Sequence, residues 1–155
     1  MPDTRVHRGA HPRDAECFAP GALPAVRAAV GDLSWLLGRG YPPRAAAKLV
    51  GDRYGLRDRQ RKAVQRSAAA PADCEARGQR RVDAAGLRRQ PLLVDGYNVL
   101  LTVEAALSGG VLLRCRDSVL RDLTAMSRHY RRVRTTVQAL EVLGGFCREV
   151  GSERW

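Results

Sequence analysis

Leu92-Leu93-Val94-Asp95-Gly96-Tyr97-Asn98-Val99-Leu100 decides how this chain is read. Leu92 to Val94 form an apolar run long enough for a buried parallel strand and too short for a helix. Gly96 permits a sharp turn, and Asn98 stands where the next helix begins, where a short polar side chain can cap free backbone amides. One carboxylate, Asp95, is left at the break. Ligands of open α/β sheets bind in the crevice beyond the carboxyl ends of the strands, so an acid there can be aimed at a metal ion.

Downstream of this stretch, the spacing predicts a helix through Leu100, Val103, Ala106 and Leu107, ended by Ser108-Gly109-Gly110. Val111 to Cys115 reads as a second strand or extended segment, and Ser118 to Met126 as a short helix. Val133, Val137, Leu140, Leu143, Phe146, Cys147 and Val150 mark a last amphipathic helix suited to packing on a sheet. Two strands leave such a sheet half covered, so further strands are expected after residue 150 and the layer reads as partial or truncated.

Upstream, residues 1–20 read as a loose, proline-containing leader. Residues 21–70 read as a helical domain. Leu23, Val26, Val30, Leu33 and Leu37 recur at helical spacing up to Gly38 and Gly40, and Pro42-Pro43 opens a second helix bearing Ala46, Ala47, Val50 and Tyr54. Gly55 breaks it, and a third helix runs from about Arg57 to Ala69 with Pro71 as its stop. Residues 71–90 read as a basic linker with some helical tendency, and residues 91–155 as the α/β domain.

The net charge is +11, and it is concentrated. Residues 57–89 hold ten Arg or Lys against four acids, whereas residues 91–155 hold nine against seven. Such a segment suits a polyanion, with Arg57, Arg59, Arg61, Lys62, Arg66, Arg80, Arg81, Arg88 and Arg89 as candidate nucleic-acid contacts. An arginine-rich proteome explains the same bias, because Arg outnumbers Lys by 25 to 2. Aromatic content of 5% argues against a broad base-stacking platform. Cys17, Cys74, Cys115 and Cys147 lack paired spacing, which argues against zinc and a disulfide scaffold and favours reduced thiols in the cytoplasm. No apolar run approaches a membrane span.

Asp95 is the leading candidate ligand, with Asn98 as its support; its structural alternative is a turn residue satisfied by backbone amides. Asp117 and Asp122 are further candidate ligands near plausible element ends. Asp117 could equally be a helix N-cap, and Asp122 a solvated partner of Arg121 or Arg128. Glu104 is expected at the surface.

At these residues the chain resembles the PIN-like nucleases, especially their NYN branch, whose V-D-G-x-N motif supplies the first metal-binding aspartate and a supporting asparagine. The wider pattern, VDGYNVLLTVEAALSGGVLLRCRDSVLRD behind a helical unit with LVGDRYGL, is similar to an uncharacterised prokaryotic family joining a short helical domain to a PIN-like one. The resemblance implies a Rossmann-like parallel layer and an endoribonuclease dependent on Mg2+ or Mn2+, with RNA favoured over DNA. Asp95 would match the first acidic ligand, Asn98 the motif asparagine, and Asp117 and Asp122 later acidic positions, making these four the catalytic set. Arg116 departs from the pattern, placing a cation where another acid is expected. A second reading treats Arg44 to Arg66 as a helix-turn-helix-like unit whose later, basic helix enters the DNA major groove, without catalysis.

Overall fold

The computed structural model describes residues 8–123 and 130–154. Its elements are α1 (Asp14–Cys17), α2 (Leu23–Gly38), α3 (Pro43–Arg53), α4 (Asp58–Ser67), α5 (Pro71–Gln79), α6 (Gly96–Leu107), β1 (Leu112–Arg114), β2 (Leu120–Asp122) and α7 (Thr136–Glu149). The described chain is therefore mostly helical, with a small antiparallel sheet. Contacts divide it into two units. One comprises residues 11–80 with 112–123; the other comprises residues 8–10, 81–111 and 130–154.

The first unit is organised by α2. Val26, Ala29 and Leu33 bury one face of that helix against Ala46, Ala47 and Val50 of α3 and Val64 of α4, with Leu56 closing the turn between α3 and α4. Burying a leucine such as Leu33 contributes about 2 kcal/mol. Gly55 adopts φ +57, the left-handed conformation that lets the chain reverse after α3. Pro71 does not stop a helix; it starts one. Ala70 before it is extended, as a residue preceding proline tends to be, and Pro71 takes the first helical position of α5, where its missing N–H costs nothing. Part of the expected leader is also structured. Asp14 and Cys17 are buried, and the Gln60 side chain donates to the Cys17 carbonyl at 2.9 Å.

The stretch expected to form a helix from Ser118 forms the second strand of a hairpin instead, and residues 124–129 of that expectation lie outside the described residues. The register pairs Leu112 with Asp122, Leu113 with Arg121 and Arg114 with Leu120. Turn chemistry decides it. Asp117 Oδ1 accepts from the Val119 N–H, Ser118 sits at φ 64, and the Cys115 N–H donates to the Val119 carbonyl at 3.0 Å. The Arg116 N–H also donates to the Ser67 carbonyl at the end of α4, tying the hairpin to the helical unit.

In the second unit α6 packs on α7. The face buried on α6 is Leu100, Leu101, Glu104 and Ala105, one step round from the expected one, and Ala106 and Leu107 are exposed. Glu104 lies on that buried face. It is 0% exposed, contrary to the surface position expected of it, and accepts from Arg8 Nε at 2.5 Å, Tyr130 Oη at 2.6 Å and Thr136 Oγ1 at 2.5 Å. A buried carboxylate is tolerated only when so fully satisfied. Burial also pushes the Tyr130 hydroxyl up from its ordinary pKa, reinforced by its hydrogen bond to Glu104.

Leu92 to Val94 do not form a buried strand. The segment is extended; Leu93 is 100% exposed, and Val94 and Tyr97 are exposed too. It makes one parallel bridge, Pro91 with Arg154, in which the Leu92 N–H donates to the Arg154 carbonyl at 2.8 Å. Among the described residues no parallel sheet is built on it: the described sheet is the β1–β2 pair, and the segment's own pairing is the Pro91 bridge.

Candidate functional site

Asp95 lies where the extended segment passes into α6, as the N-cap of that helix. Its Oδ2 accepts from the Asn98 side-chain amide at 2.7 Å and its Oδ1 from the Asn98 N–H at 3.5 Å. The acid and the motif asparagine are thus brought together. The short bond is the side-chain one, so Asn98 holds the carboxylate more firmly than the helix backbone does. Both residues are exposed, which leaves the carboxylate facing solvent at a helix N-terminus, where negative charge is favoured.

Asp95 lines a groove of about 950 Å³ between the extended segment, α6 and α7. The stripe of α7 expected to pack on a sheet forms its far wall: Val137, Leu140 and Phe146 are each about half exposed there. Only Cys147, Val150 and Val133 of that stripe are buried. The groove is apolar apart from Asp95, Glu141 and Arg148. Glu141 was not singled out in the sequence; its signal is its place beside Leu140 on α7, which becomes informative only once that helix is set against Asp95.

Asp117 and Asp122 belong to the other unit, and both are engaged by arginines. The Asp117 side chain is 1% exposed; it meets Arg121 at 2.6 and 2.8 Å and Arg77 at 2.7 Å. The Arg121 guanidinium, above all, holds its carboxyl far below the ordinary carboxylate range, with the Val119 N–H and Arg77 adding to the effect. Asp122 is buried and receives Arg66 Nη2 at 3.1 Å. These contacts make the two acids structural anchors of the hairpin. Among the described residues, no three His, Cys, Asp or Glu side chains gather where one ion could be held.

The basic residues of α4 are similarly occupied. Arg57 pairs with Glu16, Arg59 with Asp14, Arg61 with Asp52 and Arg66 with Asp122, while Lys62 has no ion-pair partner among the described residues. Arg61 also donates to the Leu56 carbonyl at 2.7 Å, locking the turn between α3 and α4. Arg80, Arg81, Arg88 and Arg89 have no ion-pair partner among the described residues.

Comparison with known proteins divides the chain just after residue 80, which is one boundary of the contact units, while the hairpin at 112–123 falls within the second match and yet groups by contacts with the helical unit. Residues 25–80 match the model of a protein of unknown function (DUF434), and residues 84–155 that of a domain of unknown function (DUF5616). The chain is similar to the uncharacterized protein MJ0935 of Methanocaldococcus jannaschii, 23% identical over 107 residues, which are 69% of this chain and 51% of that protein. The chain thus spans about half the length of this curated relative. No solved structure matches it.

Proposed function

We propose that the chain carries a PIN-like domain of the metal-dependent ribonuclease class, in degenerate form, with Asp95 as its metal-facing acid and Asn98 as the amide that positions it. The observation that supports this reading is the exposed Asp95 carboxylate, held by Asn98 at 2.7 Å where an extended segment turns into a helix. The parallel bridge between Pro91 and Arg154 supports a parallel layer of this kind, since parallel neighbours need the helical crossover found between them. The partnerless arginines at 80, 81, 88 and 89 favour a polyanion, and RNA is the proposed one.

The residues present do not fit a complete Mg2+ or Mn2+ centre. Asp117 and Asp122 are committed to arginines, which leaves Asp95, with Glu141 lining the same groove. A site with so few charged ligands holds a divalent ion weakly, since each missing carboxylate removes both charge and a ligand. The alternative reading, in which α4 acts as a DNA-reading helix, draws less support, because the arginines of that helix neutralise acids of their own unit. Among the described residues no helix is long and apolar enough to cross a membrane. The free cysteines Cys17, Cys74, Cys115 and Cys147 suit a reducing compartment, and the cytoplasm is the proposed location.

Mn2+ titration followed by the resonance of the free ion, on wild type and Asp95→Asn, tests the reading. Labelled RNA is incubated in parallel with and without chelator. Weak saturable binding that Asp95→Asn abolishes, with trace Mn2+-dependent cleavage at most, is expected. Equal Mn2+ binding by both proteins refutes the assignment.

A further inference from the structure

The helical unit holds a cleft of its own, about 530 Å³, walled by α2, α4, β1 and the turn after β1. Its floor is apolar, formed by Phe18, Leu23 and Val26 among others. Its rim carries Arg27, Arg114 and Arg116, and no carboxylate lines it. That absence is informative in this unit. Asp14, Glu16, Asp52, Asp117 and Asp122 are each matched with a cation, yet none of the rim arginines has an ion-pair partner among the described residues.

Three cations lining one concavity with no carboxylate among them give it a positive potential that an anion entering it would neutralise. All three side chains are on exposed residues, and packing does not explain them. Guanidinium groups take phosphate oxygens through paired, charge-assisted hydrogen bonds. An apolar floor with one half-buried aromatic ring, Phe18, suits a flat heteroaromatic ring. The volume is that of a small-molecule site and not of a duplex groove.

We infer that this cleft binds a nucleotide, with the phosphate on Arg27, Arg114 and Arg116 and the base on the floor beside Phe18. The nucleotide is either free or one unit of a single-stranded RNA; both present the same phosphate and exposed base face. The inference does not depend on Asp95 or on a metal.

The test uses the full chain in chelator, with calorimetric titration of UMP, uridine and inorganic phosphate, and anisotropy of a labelled oligouridylate. UMP or the oligonucleotide binds, and the Arg114→Ala/Arg116→Ala double variant loses at least about tenfold in affinity, as does Arg27→Ala separately. The charge-matched Arg132→Ala/Arg134→Ala variant, altered on exposed positions of the other unit and away from the cleft lining, stays within about twofold of wild type. Binding of UMP that competes with the oligonucleotide assigns the cleft to free nucleotides; rim-dependent binding of the oligonucleotide alone assigns it to RNA. Circular dichroism checks that each variant is folded, and Arg27→Ala carries the test should the double variant unfold. Three results overturn the inference: equal losses in the rim and control variants, inorganic phosphate binding as well as UMP, or no binding of either nucleotide probe.

Discussion

Replacing Asp95 by Asn and by Ala separates its two roles. As N-cap, Asp95 accepts from the Asn98 N–H through a long 3.5 Å contact, so the cap contributes at the low end of the usual range, about 0.5–1 kcal/mol. Asn is as good a cap as Asp, and Asp95→Asn sacrifices only the charge near the helix dipole, about 0.3–0.5 kcal/mol at an exposed position. Asp95→Ala loses both, about 0.8–1.5 kcal/mol, which for a chain of this size lowers the melting temperature by roughly 2–6 °C. Calorimetric or fluorescence-detected melting of the three proteins, alongside the Mn2+ titration, reads both effects. Asp95→Asn should be close to wild type in stability while losing metal binding. Asp95→Asn melting as low as Asp95→Ala, with Mn2+ binding retained, would show that the carboxylate serves the fold and that the proposed role is mistaken.

Glu104→Gln puts an amide N–H₂ among three hydrogen-bond donors and leaves Arg8 without its counter-charge. A loss of about 3 kcal/mol is expected, read as a lower urea midpoint; an unchanged midpoint would mean the network is dispensable. Asp117→Asn loses its pair with Arg121, and because Arg77 and Arg121 retain some access to water the expected cost is about 2 kcal/mol at neutral pH. The folded-state pKa of Asp117 is depressed, so its contribution is present above the unfolded value of about 3.9 and declines as pH falls through and below it. The stability gap between wild type and Asp117→Asn should therefore narrow from about pH 5 downward; a gap that widens in acid contradicts the pairing. Ser118→Gly relieves a left-handed φ of 64 and should stabilise the hairpin by about 0.5 kcal/mol after the added unfolded-state entropy; destabilisation would point to an unrecognised contact of the serine side chain.

The helices α2, α3 and α4 were legible because their signals are local: apolar residues at helical spacing, Pro43 at a start, Gly55 at a break. The pairing of Asp95 with Asn98 was legible for the same reason, since the two are three residues apart across a helix start. The helix predicted from Ser118 failed because Leu120 to Leu123 is compatible with either element, and the turn at Asp117-Ser118 outweighs it only when β1 is alongside. Glu104 could not be placed from its neighbours, because its main cation, Arg8, is 96 residues away in the chain.

The sequence by itself determined where helices begin and end in the first unit, that one acid stands at the break after Val94, and that cations outnumber acids across residues 57–89. Tertiary structure alone decided which of those charges remain available. It spent Arg57, Arg59, Arg61 and Arg66 on acids from other segments, tied Asp117 and Asp122 to arginines, and left Arg27, Arg114 and Arg116 around an acid-free cleft. The physical reason is that backbone preference is set within a few residues, whereas a charge is neutralised by whatever lies within a few ångströms, however distant along the chain.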